Sequence, residues 1–317
     1  MSTVYSGAYK QRQKNTLVYR IKRELRRNWA IHVMWLPVLA YYIIFHYAPM
    51  AGLLTAFQDY KPFKGILGSK FVGFKWFIDF LTGPYAKRTI LNTLILNILG
   101  LCIAFPLPIL FALLLNEVKC APYKKTIQTI SYMPHFISLV VMCGMIKEFA
   151  SSQGLISIIG QYFGLPDMNY LSSVTAYRPI YIASDVWKQM GWGSIIYLAT
   201  LSAVDQTLYE AAAIDGANRF HQMWHITLPS LMPVIVVQLI MRIGHIMSVG
   251  SEKTILLYNE ATYEVSDIVS SFVYRRGLLE LNYSYGAAVG LFNSVINVIV
   301  LTFANWFARV VTNESLW

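Results

Sequence analysis

Chemistry in this chain is carried by polar side chains set inside apolar runs. Asp185, Trp187, Lys188, Gln189 and Trp192 interrupt one run, Gln238, Arg242 and His245 the next, and Asn293 and Asn297 the last. Gln238, Arg242 and His245 are three or four residues apart, as are Asn293 and Asn297, so each set shares roughly one helix face. Polar groups within an apolar span are costly and default to function. The same residue types have plainer uses. Tryptophans sit at membrane interfaces, and asparagines bond helix to helix. Catalysis lacks its parts: there is no GxxxxGK(S/T) phosphate loop, no HExxH and no GxSxG. Cys102, Cys120 and Cys143 form no CxxC, which argues against a metal site and a disulfide framework. His221 and His225 are four apart, but no third ligand is near them, and surface polar residues are the simpler reading.

A second constellation lies between those runs, in residues 202–233, SAVDQTLYEAAAIDGANRFHQMWHITLPSLMP. Asp205 is placed to cap a helix. Residues 206–215 are good helix formers, led by Ala211, Ala212 and Ala213, and Gly216 is placed to end the helix in a left-handed conformation. A second short helix is predicted from about 218 to 227, and Pro229 suits the first turn of the next span. The result is a helix–Gly–helix knob. Its alanines keep one face thin, and Glu210 and Asp215 put two carboxylates on it.

These constellations need a membrane to position them. Residues AVILMFWYC make up 56% of the 317-residue chain and only 13% is charged, about half the share of a soluble protein. A cytosolic enzyme, a disordered chain and a collagen-like fibre are excluded, and the net charge of +10 reads as basic flanks of spans rather than a nucleic-acid surface. Apolar stretches of about 20 residues fall at roughly 30–56, 89–115, 127–149, 179–203, 230–250 and 286–309, which predicts six transmembrane helices in an all-α polytopic protein. The third and fourth are the most polar. Prolines 37, 49, 106, 108 and 134 lie within spans, where kinks are expected.

Residues 1–29 hold eight Lys/Arg and no apolar run, so the first span reads as uncleaved. With the N-terminus inside, the inside segments carry 13 Lys/Arg and the outside loops ten, so both termini are expected in the cytoplasm. Lys87 and Arg88 sit on the wrong side of the second span. In the tail, Leu17, Ile21 and Leu25 repeat every four residues among Arg20, Lys22, Arg23, Arg26 and Arg27. That spacing predicts a short interfacial helix, although a merely topogenic tail would carry the same charge. In the outer loop at about 251–285, Val265, Ile268, Val269 and Phe272 are spaced for an amphipathic helix. Arg275 and Arg276 face an acidic partner or solvent.

The knob carries a longer pattern. Glu210-Ala211-Ala212, Gly216 and Ile226-x-Leu228-Pro229 match E-A-A-x3-G-x9-I-x-L-P at every defined position. This resembles the EAA motif of the permease subunits of binding-protein-dependent ABC importers, over roughly residues 88–310. The stretch from Tyr209 to Ala217 looks like the carbohydrate-uptake branch. Segments 112–138, 269–279 and 283–299 resemble permeases for complex oligosaccharides and polysaccharides.

The resemblance implies the type I ABC importer permease fold, with the knob as a cytoplasmic coupling helix. Residues 1–29 would be a basic tail, 30–87 the first transmembrane helix and outer loop, 88–310 the permease core, and 311–317 a cytoplasmic tail. Glu210, Ala211, Ala212, Asp215, Gly216, Ile226, Leu228 and Pro229 would dock on an ATPase, with Glu210 near a basic side chain there. Two cytoplasmic ATPase subunits would supply ATP and Mg chemistry, since this chain has no cofactor of its own. A second, similar permease subunit would pair with it in the cell membrane, and an extracellular or periplasmic solute-binding protein would deliver an oligosaccharide. Sugars are held by aromatic faces and by planar amide or charged groups. That makes Trp187, Gln189, Trp192, Gln238, Arg242, His245, Asn293 and Asn297 the candidate path. A different solute, such as an amino acid or peptide, and a secondary transporter driven by an ion gradient are the competing readings. No internal repeat supports the latter.

Overall fold

The computed structural model describes residues 24–248, 250–312 and 315–316. Leu17, Ile21 and most of the basic residues of the expected interfacial helix lie outside the described residues. Leu25 is exposed.

The described chain is almost entirely helical. α1 spans Trp29–Phe57 and crosses Pro37 and Pro49 by loosening into a wide turn at Ile43–Tyr47 and tightening at Ala51–Phe57. Only Ala56 in it is buried, where its last turns reach the C-terminal helix. A two-residue hairpin follows, Gln58–Asp59 (β1) antiparallel to Lys70–Phe71 (β2), and then α2, Lys75–Thr82. α3 covers Ala86–Asn116. A wide turn at Gly100–Ala104 lies in it just before Pro106 and Pro108. This is the local adjustment expected where a missing N–H and a proline ring break the regular ladder.

The third expected span departs from a straight crossing. α4, Ala121–Phe136, and α5, Leu139–Phe149, meet at 98° across Ile137 and Ser138. Pro134 tightens the end of α4, and the Ser138 side chain accepts from the Val141 N–H to start α5. A short helix α6, Leu155–Tyr162, leads to α7, Val174–Ser202. At 29 residues α7 is about 43 Å long, enough to cross a bilayer, although Asp185, Lys188 and Gln189 sit in its middle. After the knob comes α9, Arg219–Gly244. It ends six residues earlier than the hydropathy suggests. Short helices α10, Ser251–Leu257, α11, Tyr263–Ser266, and α12, Val269–Val273, follow, and α13 spans Tyr283–Thr312. Among the described residues four helices, α1, α3, α9 and α13, are long and apolar enough to cross a membrane. The bent α4–α5 pair and α7 occupy the places of the third and fourth expected spans.

The expected amphipathic helix in the outer loop is broken at Asp267, yet Val265, Ile268, Val269 and Phe272 are all buried. Arg275 turns inward to Asp267 (2.7 Å), and Arg276 pairs with Glu280 (2.6 Å). Three apolar clusters hold the body together. One joins α5, α7 and α10 around Tyr177, Tyr181 and Leu257. The second joins α2, α12 and α13 around Phe80, Phe272 and Val289. The third joins α3, α7 and α9 around Leu113, Tyr197 and Leu231.

The α4–α7 crossing depends on Gly191. A Cβ there would fall far inside van der Waals contact with the Ser131 backbone carbonyl and Cβ of α4. Backbone cannot swing aside as a side chain can. Gly191→Ala should therefore lower stability by about 1–3 kcal/mol, whereas Gly144→Ala on α5, with open space around it, should be neutral. Thermal unfolding of the two purified variants in detergent checks the contrast.

Candidate functional site

Tyr181, Asp185, Gln189, Gly193 and Tyr197 follow one another every four residues along α7 and form a continuous stripe. Two cavities run along it. The first, about 460 Å³, is lined by Asn97, Tyr181, Asp185, Lys188, Gln189, Arg242, His245 and Lys253, among others. The second, about 320 Å³ and nearer the knob, is lined by Phe105, Pro108, Gln189, Gly193, Tyr197, Gln238 and Arg242. Ala104, Gln189 and Arg242 line both. α3, α7 and α9 thus each give one face to a single polar seam.

The Arg242 guanidinium fits against the backbone of α3. A Cβ on Gly100 would stand 3.1 Å from Arg242 Nη2. Lys188 donates from Nζ to the Ile137 carbonyl at 2.9 Å, in the break between α4 and α5. Neither Lys188 nor Arg242 makes an ion pair among the described residues. Lys253 is buried. Its Nζ contacts Asp185 Oδ1 and the Tyr181 carbonyl, each at 2.6 Å, and lies 3.9 Å from the Tyr181 ring centroid.

Of the residues singled out for a path, Gln189, Gln238, Arg242 and His245 come together on these cavities. The others are placed elsewhere. Trp187 points roughly opposite the stripe and is exposed. Trp192 stacks flat on His135, 4.2 Å between ring centres, and meets Phe136 edge-on, which fastens α7 to the end of α4. Asn293 lines a separate cavity of about 250 Å³ with Ser251, Val269 and Tyr274. Asn297 accepts from the Met247 N–H (2.9 Å) and donates to Ser248 Oγ (2.8 Å), so it holds the chain that leaves α9. Lys253, Tyr181 and Tyr197 were not foreseen. An unpaired Asp185 inside a span asks for a cation, and Lys253 is that cation.

The knob is built as its residues dictate. α8, Gln206–Ile214, starts at Asp205, whose Oδ1 accepts from the Thr207 N–H at 2.9 Å. That bond holds the Asp205 carboxyl below its usual range. Gly216 has φ +80°, and the Ala217 N–H closes onto the Ala212 carbonyl at 2.9 Å. Asn218 then caps the following helix through the His221 N–H. The expected separate helix at 218–227 is instead continuous with α9. A wide turn at Met223–Thr227, closed from the Leu228 N–H, carries the helix past Pro229. Tyr209 Oη lies 3.1 Å from Thr227 Oγ1 and ties α8 to α9. Glu210, Ala211, Asp215, Gly216 and Pro229 are exposed, and Ala212, Ile226 and Leu228 are half-buried. Ile214 is 86% exposed, and Leu208, Phe220 and Trp224 are exposed beside it. His221 and His225 stack 5.9 Å apart, and no group of metal-binding side chains occurs among the described residues.

Residues 80–313 match the family model described as binding-protein-dependent transport system inner membrane component. The chain belongs to that family. It is 43% identical over 309 residues to the polygalacturonan/rhamnogalacturonan transport system permease protein YteP of Bacillus subtilis (strain 168), covering 97% of this chain and 95% of YteP. It is 42% identical over 294 residues to Protein LplB of the same organism, covering 92% of each. Its fold matches a chain of the crystal structure of a bacterial alginate ABC transporter in complex with an alginate pentasaccharide-bound periplasmic protein. The TM-score is 0.87 and the identity 40%, over 94% of this chain and all of the other.

The cavity geometry makes Gly100 a spacer for Arg242. Gly100→Val should push the guanidinium out of place and lower solute uptake toward the level of Arg242→Ala, with the complex still assembled. Loss of a positioned charge-assisted contact removes on the order of 2–3 kcal/mol, about a 30- to 150-fold loss in uptake efficiency. Uptake by vesicles carrying each variant, with subunit co-purification as control, is the measurement.

Proposed function

We propose that this chain is a permease subunit of an ATP-driven ABC importer and that its oligosaccharide passes along the α3–α7–α9 seam. The observation that carries the path is the continuous stripe from Tyr181 to Tyr197, which leads from one cavity to the next in the direction of the knob. Family membership and the likeness to YteP and to the alginate transporter support the importer reading. The cargo is an acidic oligosaccharide. Lys188, Arg242 and Lys253 set three cations against the one carboxylate of Asp185 on the larger cavity, and the sugar polymers named for these relatives include acidic ones.

The remaining assignments follow from this reading. The knob docks on a cytoplasmic ATPase that binds ATP and Mg, a second permease subunit completes the path, and a solute-binding protein delivers the sugar from outside. Both termini lie in the cytoplasm of a multi-pass protein. ATP binding draws the ATPases together, the knobs follow, and α7 and α9 open the seam outward. The chain alone hydrolyses no ATP.

Substitutions in the knob separate shape from contact. Gly216 has open space around it, so its demand is purely conformational. Gly216→Val should weaken ATPase docking through a strain of about 1 kcal/mol or more. Gly216→Asn, which tolerates a positive φ, should dock nearly normally. Glu210→Ala keeps the helix and should lose one charge-assisted contact, about 2–5 kcal/mol if fully buried in the partner. A pull-down of the ATPase beside sugar uptake for the three variants reads both effects. Wild-type docking and uptake in Gly216→Val and Glu210→Ala would reduce residues 202–229 to a connecting loop.

A further inference from the structure

Resting on the acidic-sugar reading, we propose that Asp185 is an exchangeable counter-ion: it holds Lys253 until a carboxylate of the cargo takes its place. The two partners are not equally placed. The Lys253 side chain is 4% exposed and that of Asp185 30%, so the cargo meets the carboxylate first. Lys253 is anchored on its other sides by the Tyr181 carbonyl and the Tyr181 ring. It is a fixed cation with one replaceable partner. Asp185 has somewhere to go. Lys188 lies three residues along the same helix, on the neighbouring position of the same face, lines the same cavity, and has no carboxylate partner among the described residues.

The exchange keeps every buried charge compensated. Lys253 passes from Asp185 to the sugar carboxylate, and Asp185 passes from Lys253 to Lys188. No covalent bond changes. A neutral sugar brings nothing to replace Asp185, so separating the pair would leave a buried charge uncompensated. Selection then arises from the barrier rather than from any single attractive contact, as specificity that rejects the wrong partner does. The pair also joins α7 to α10 across the seam. Its release on cargo binding removes the ion pair between the two elements, while Lys253 stays bonded to the Tyr181 carbonyl of α7.

The test uses the complete importer purified through this chain and placed in proteoliposomes. The probes are trigalacturonate and its methyl ester, each measured per mole of loaded binding protein so that the binding protein's own preference divides out. Wild type should favour the acid by about tenfold or more, the scale of a compensated against an uncompensated charge contact. The variant Asp185→Asn with Lys253→Met removes both charges together, which leaves no orphaned ion. It should assemble, lose most of the preference, and move the ester at least as fast as wild type does. An undiminished preference for the acid in that variant would overturn the exchange while leaving the acidic-sugar reading intact. Failure of the variant to assemble would also overturn it, since a merely structural pair is what that result describes. Wild type that transports neither probe, or favours the ester, would refute the acidic-sugar reading and the exchange with it.

Discussion

Asp267 is fully buried, and the segments packed around it are arranged to neutralise it. A carboxylate without solvent is tolerated only when paired and hydrogen-bonded. Here Oδ2 accepts from Arg88 of α3 (3.2 Å) and from Arg275 beyond α12 (2.7 Å), and Oδ1 accepts from Ser271 (2.9 Å). The backbone joins in. Asn92 of α3 donates to the Asp267 and Glu264 carbonyls, and its own carbonyl oxygen accepts from Arg178 of α7. One buried acid therefore fixes α3, α7 and the 263–276 segment against each other. It also accounts for Arg88, which the positive-inside pattern leaves on the wrong side of its span: that arginine serves Asp267 before it serves topology.

α7 carries this constraint to the rest of the chain. Its first turns are held at the Asp267 knot through Arg178, its middle lines the two cavities, and its last turn passes within a few residues into the knob. α9 returns from the knob as one unbroken helix to Arg242, with His245 just past its end. Tyr209 and Thr227 tie the two at the knob, and Arg219 reaches Glu117 at the end of α3 (3.7 Å). Two stiff helices thus run from the knob to cavity residues. Asn97 of α3 donates to the Ile246 carbonyl, and Asn297 of α13 holds Met247, so the far end of α9 is also pinned.

Local rules made the knob legible. Asp205, the alanines, Gly216 and Asn218 each act on their own turn, so their spacing dictates the shape without knowledge of the rest. The same holds for the face shared by Gln238, Arg242 and His245. Long-range partners were not legible. Nothing near Pro134 and Ser138 in sequence predicts that His135 will stack on Trp192 beside the 98° bend that interrupts an apparent span. Asn297 has the composition of a lining residue, but Met247 and Ser248 take both ends of its amide. Lys253 lies in what hydropathy reads as an outer loop. Only the fold brings it beneath Asp185, 68 residues away.

Transport along this path requires the seam at Gln189 to open to opposite sides of the membrane in turn. That requirement is tested most directly by placing Cys at position 189 after Cys102, Cys120 and Cys143 have been replaced. The assembled importer is then labelled with a membrane-impermeant maleimide. Labelling is expected from the outer face only when nucleotide holds the ATPases closed, and from the cytoplasmic face only when it does not. Labelling from one face regardless of nucleotide, or from neither in both states, would contradict it.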